Sequence, residues 1–156
     1  MTSKVKAIPE GRGGAIPYLC VHDAAEALEF YVAAFGATEL MRFEMPGGAI
    51  GHAEIAIGDA LVMLADEHPD LEFRSPRALG GSPVTVHLYV EDVDAFVERA
   101  VAAGATLTRP VEDQFYGDRS GQLVDPFGHV WHVATHVEDV GLDEMQARAA
   151  ARFGDG

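Results

Sequence analysis

The chain is 156 residues long, 48% hydrophobic and 23% charged, which fits one ordinary domain or two small modules on a shared core and excludes a disordered protein. A formal charge of −14, from 25 acidic against 11 basic residues, works against polyanions, so nucleic acid is not an expected partner. Cys20 stands alone, which excludes an internal disulfide and suits a reducing cytoplasm; no apolar run nears the roughly 18 residues that span a bilayer, so no membrane partner is expected.

"MTSKVKAIPEGRGG" lacks the apolar core of a signal peptide and reads as a flexible tail over 1–14. Beyond it the chain states one pattern twice. Leu19, Val21 and Asp23 recur as Leu88, Val90 and Asp92. A one-residue deletion then brings Gly36-Ala37-Thr38 onto Gly104-Ala105-Thr106, and "IGDALVML" (57–64) falls opposite "FGHVWHVA" (127–134).

In the first module, 15–66, an alternating strand runs into Asp23, an acidic N-cap with Glu26 at capping-box spacing. Ala24, Ala27, Leu28 and Tyr31 follow helical spacing, and Gly36 stands where a left-handed C-cap is expected. Strands are predicted over 37–44, 50–57 and 60–65. "EHPDLEFRSPRALGGSP" (67–83) is rich in turn residues and reads as a connector. The second module, 84–137, repeats the plan: a strand, the N-cap Asp92, and a helix through Val93, Phe96, Val97 and Ala100. A C-cap at Gly104 and strands near 105–109, 120–124 and 129–135 complete it. The last segment, 138–156, has acidic residues early and Arg148 and Arg152 late, with Leu142, Met145, Ala149 and Phe153 near helical spacing. It reads as a helix clasping a partner subunit, with a frayed tail as the alternative. The fold class is therefore α+β: two paired βαβββ modules forming a curved, cavity-enclosing mixed sheet with helices outside.

Side chains alternate along a strand, so parity sorts the faces. Leu19 and Val21, Val86, Leu88 and Val90, Ala53, Ile55 and Ile57, and Trp131 and Val133 belong beneath the helices. Ile16, Tyr18 and Cys20, Thr85, His87 and Tyr89, His52 and Glu54, and Val130, His132 and Ala134 then face the cavity. His87 and Tyr89 form either a polar wall for a ligand or a pair satisfied by water, since such groups are costly to bury without partners. His52 and Glu54 are an acid–base pair or a solvated rim pair. Arg119 is a candidate anion clamp, or a loop salt bridge with Asp118 or Asp125. Cys20 and Trp131 read as core, Asp125 and Pro126 as turn formers, and His22, His68, His129 and His136 as surface or loop residues.

The cluster His129, His132 and His136 invites a metal reading. However, four strand residues separate His132 from His136 by about 13 Å, against zinc–nitrogen distances near 2.0–2.1 Å, and His129 has the wrong parity. These histidines are not a metal triad.

The repeat, with "GDRSGQLVDPFGHVWHVATH", resembles the vicinal oxygen chelate superfamily of glyoxalases, bleomycin-resistance proteins and ring-cleaving dioxygenases. "IPYLCV", "EFYVAAFGAT", "GHAEIAIGD" and "YGDRSGQLVDPFGHVW" are similar to its PhnB-like branch, and the resemblance runs over about residues 15–140. It implies paired modules and commonly a homodimer, sometimes with modules exchanged between chains. Metal-using members carry four His or Glu ligands, and the matching positions here are Ile16, Val62, Thr85 and His132, of which only His132 is a customary ligand.

The function expected is a PhnB-like protein that binds a small organic ligand in its barrel cavity through Tyr18, His52, Glu54, His87, Tyr89, Arg119 and His132, with no metal cofactor and no residue assigned as catalytic. One alternative is a metal-dependent lyase, isomerase or dioxygenase. It would hold one divalent Zn, Fe, Ni or Mn at a displaced site of His52, Glu54, His87 and His132, with Glu54 as general base. Another is a dimeric interaction protein with a vestigial pocket.

Overall fold

The computed structural model describes residues 4–154; residues 1–3 and 155–156, the outer ends of the two expected tails, lie outside the described residues. β1 (Tyr18–Val21) leads into Asp23, whose extended backbone lets its carboxylate accept the Glu26 N–H at 3.0 Å and start α1 (Ala24–Phe35). Gly36, at φ 64°, closes the helix in the left-handed conformation that its missing Cβ permits. β2 (Thr38–Glu44), β3 (Ile50–Ile57) and β4 (Ala60–Asp66) follow. The connector is not bare loop: it holds a single 3-10 turn at Pro69–Leu71 and the short helix α2 (Pro76–Leu79), capped by Ser75.

The second half repeats the plan with β5 (Thr85–Tyr89), α3 (Val93–Ala102), β6 (Thr106–Asp113), β7 (Asp118–Val124) and β8 (Val130–His136). Asp92 caps α3 through the Ala95 N–H at 3.0 Å. Gly104 departs from the expected cap. Ala103 ends the helix in a right-handed conformation, Gly104 takes φ 121°, and the Ala105 N–H bonds to the Ala100 carbonyl at 3.0 Å. The C-terminal segment forms α4 (Leu142–Phe153).

Each half makes one four-stranded mixed sheet, ordered β1-β4-β3-β2 and β5-β8-β7-β6, in which the first strand runs parallel to the last and the other pairs are antiparallel. The paired-module α+β fold stands, but the continuous cavity-enclosing sheet does not form within one chain. The sheets share no strand pairing and do not close into a barrel. Instead α1 packs on α3, and both helix-facing sides merge into one core. Phe35 lies 4.9 Å from Trp131 and 5.0 Å from Phe96, ring centroid to centroid, at its centre.

Polar bonds seal this junction. The buried Asp125 accepts Tyr31 Oη–H at 2.5 Å from the first half, Trp131 Nε1–H at 2.9 Å, and the N–H groups of Phe127 and His129. Arg99 on α3 donates to the Ala33 and Val32 carbonyls, which the end of α1 leaves without helical partners. His129, expected on a loop surface, donates from Nε2 to the Cys20 carbonyl at 2.8 Å and so ties the β7–β8 turn to β1.

Candidate functional site

Strand alternation places the predicted side chains as the parity rule requires. Leu19, Val21, Ala53, Ile55, Leu88, Trp131 and Val133 are buried in the common core. Tyr18, His52, Glu54, His87, Tyr89 and His132 belong to the opposite, inner faces, and one chain leaves these open enough that Tyr18 is 45% and Tyr89 58% exposed. The first three gather on the first sheet and the other three on the second.

One register slips. The parallel pairings put Tyr18 beside Met63 and His87 beside His132, so Met63, not Val62, is the counterpart of His132. Val62 is buried in the core instead. The cause is the β7–β8 turn, where Asp125 N–H meets the His129 carbonyl across three residues, while Ile57 pairs Ala60 across two.

On the first sheet the polar groups form a chain. Tyr18 Oη lies 2.7 Å from His52 Nδ1, and His52 Nε2 lies 3.0 Å from Glu54 Oε1. Arg12 forks onto the same carboxylate, Nη1 to Oε1 at 2.8 Å and Nη2 to Oε2 at 2.5 Å. The Arg12 hydrogen bonds, then that of His52, hold the Glu54 carboxyl down at about 2. Held by Arg12 in this way, the carboxylate is a weak proton acceptor, and a general-base role for Glu54 requires its release from Arg12. Arg12 was hidden in the sequence because a glycine-flanked arginine in a tail carries no periodicity that points to a partner 42 residues away.

On the second sheet the His87 and His132 rings stack with centroids 4.9 Å apart and planes 17° from parallel, and Tyr89 adds a ring 4.7 Å from His87. Burial, then the neighbouring His87 and Arg109, pushes His132 down, so it is a neutral imidazole able to donate and accept. Tyr89 Oη–H donates to Asp118 Oδ2 at 2.8 Å, and the other Asp118 oxygen lies 2.8 Å from His136 Nδ1. His136 Nε2 meets Asp139 at 2.8 Å. Burial acts to raise the Asp118 carboxyl, but the His136 and Tyr89 hydrogen bonds outweigh it and the group sits below its ordinary value. His136, expected as a surface residue, is raised by its bonds to Asp118 and then Asp139, since both ring nitrogens face carboxylates and must donate. A groove of about 1020 Å³ runs past His87, Tyr89 and His136 against Phe35, Ile57 and Phe96.

Arg119 is not part of either face. It donates to both oxygens of Asp94 on α3, at 2.7 and 2.9 Å, and to Asp113 at 3.2 Å, on the helix side of its sheet. The salt-bridge reading holds, with different partners from those expected.

Ile16 has no ligating side-chain atom, Met63 brings a soft thioether, Thr85 a neutral hydroxyl, and only His132 a good nitrogen. The displaced quartet fits no better: both Glu54 oxygens are engaged by Arg12, and no three His, Cys, Asp or Glu side chains converge among the described residues.

The model of the glyoxalase/bleomycin resistance protein/dioxygenase superfamily matches residues 15–133. Protein Mb0911c of Mycobacterium bovis is 48% identical over 143 residues, covering 90% of this chain and 93% of its own. TioX from Micromonospora sp. ML1 superposes with a TM-score of 0.63 at 28% identity, over 83% of this chain and 100% of that one. The Arabidopsis thaliana At5g48480 product gives 0.61 at 29% identity, over 78% and 97%. With most of the chain matched and the paired βαβββ sheets in place, this protein belongs to the glyoxalase/bleomycin resistance protein/dioxygenase superfamily.

Proposed function

We propose that the protein captures a small organic molecule against the inner faces of its two modules, as a PhnB-like member that works without the superfamily's usual metal quartet. It acts as a cytoplasmic homodimer in which an inner face of one copy covers an inner face of the other. The observation that carries this reading is the chemistry of the open faces. Tyr89 and His136, both hydrogen-bonded to Asp118, line a groove of about 1020 Å³ together with His87. The exchanged pairing is supported by the shared helix-side core, which leaves the inner faces of a single chain uncovered. No helix among the described residues is long and apolar enough to cross a membrane.

Each polar group has a definable task. Tyr89 gives its proton to Asp118 and keeps oxygen lone pairs for a ligand donor, while neutral His132 offers one donor and one acceptor.

A thermal-shift screen of small metabolites and antibiotics tests the proposal. The expected result is at least one compound that raises Tm, with the rise diminished in His87→Ala and Tyr89→Phe. Unchanged rises in both variants would remove the second sheet from the site, and a library without any hit would favour the interaction-protein alternative. The metal-dependent alternative requires a Glu54 released from Arg12 and a bound ion that sustains turnover.

A further inference from the structure

We propose a second, distinct ligand pocket at the end of the first sheet, for a ring-bearing molecule with a hydrogen-bond donor such as an amine, read by the oxygen of Tyr18. It rests on the small-molecule reading above and names a class of ligand for the first module. A cavity of about 380 Å³ lies between β1, the β2–β3 hairpin and the connector, within the usual range for small-molecule sites. Met45, Ile50, Ala65, Leu71 and Phe73 give it carbon walls, and Tyr18 closes one side with its ring edge-on to Phe73 at 5.5 Å.

Preference for a donor follows from where the protons sit. Arg12 keeps Glu54 an anion, so the His52 nitrogen facing Glu54 at 3.0 Å must be the one bearing hydrogen. With hydrogen on Nε2, the other His52 nitrogen, Nδ1, faces Tyr18 Oη at 2.7 Å and accepts its proton. Tyr18 is left presenting lone pairs only. The acidic groups at the rim are already committed: Asp66 accepts from the Ala24 and Ile50 N–H groups, each at 2.7 Å, and Glu67 from Ser75. Their charge, with the protein's −14, still favours a cationic donor over an anion. Arg12, Glu54 and His52 are positioning residues for this reader; Tyr18 is the one that touches the ligand.

The test uses amide NMR on the full-length, isotope-labelled protein with two ring probes of similar size: benzylamine, a donor, and acetophenone, which only accepts. Benzylamine should shift the Gly51 and Ala65 signals saturably, and acetophenone should bind there roughly five- to tenfold more weakly, the worth of about one hydrogen bond. Tyr18→Phe should cut that preference several-fold, leaving only the attraction of the acidic rim for the ammonium, and the rim variant Met45→Arg should weaken benzylamine by closing the mouth and repelling its charge. His52→Ala, which frees the Tyr18 proton, should strengthen acetophenone several-fold, an effect that general loosening would not produce. Equal binding of the two probes, or a Tyr18→Phe protein indistinguishable from wild type, would overturn the proposal. Shifts confined to Leu88 and Ala134 would overturn it too, yet leave ligand binding on the second sheet intact.

Discussion

Tyr31→Phe removes one oxygen from the bond that joins the two halves. Tyr31 is fully buried, its hydroxyl donates at 2.5 Å to the buried Asp125, and Asp125 lies 94 residues away in the turn before β8. A hydrogen bond to a charged acceptor contributes about 1.5–3 kcal/mol, and the phenylalanine ring refills the space, so the expected loss is about 2 kcal/mol. For a domain of this size that corresponds to a fall in Tm of roughly 4–8 °C. Asp125→Ala should cost far more, because it strands Tyr31 Oη–H, Trp131 Nε1–H and the N–H groups of Phe127 and His129 in the interior. At about 1–3 kcal/mol for each stranded group, the loss approaches the whole stability of an ordinary domain. Urea unfolding followed by fluorescence of Trp131, the one tryptophan in the chain, measures both variants. The two losses should be strongly non-additive, since they share partners. A Tyr31→Phe protein within 1 °C of wild type would refute the claim that this bond holds the modules in register.

Stability should also depend on pH in two opposite senses. His136 is raised above 6.5, so its contribution is complete below that value and fades as pH climbs through the folded-state pKa; His136→Gln should flatten the alkaline fall in Tm relative to wild type. Glu54 is lowered from 4.5 to about 2, so its contribution is present above 4.5 and disappears as pH drops toward 2; Glu54→Gln should lessen that acid loss. Arg119→Ala, on the helix side and paired with Asp94 and Asp113, should leave any ligand-induced rise in Tm unchanged, and a diminished rise would return Arg119 to the site.

Much of this arrangement was legible because local rules agreed. Asp23 and Asp92 capped their helices, and alternation sent Leu88, Trp131 and Val133 beneath the helices and His87, Tyr89 and His132 to the inner face. Where reading failed, a non-local contact or a turn length decided. Nothing near Arg12 announces Glu54, and nothing near His136 announces that β7 will bring Asp118 against one nitrogen while the chain curls Asp139 onto the other. One additional turn residue moved the counterpart of His132 from Val62 to Met63. The separation of the two sheets depends on α1 packing against α3, a choice between module pairings that alternation along a strand does not encode.

The most direct test of the central claim is elemental analysis after the protein is incubated with zinc, iron, nickel or manganese and passed through a desalting column, with the same sample assayed for ligand-induced stabilisation in chelator. The expected result is metal far below one ion per chain and a Tm rise that survives the chelator. Retention of about one ion per chain, lost in His132→Ala together with the ligand response, would contradict it.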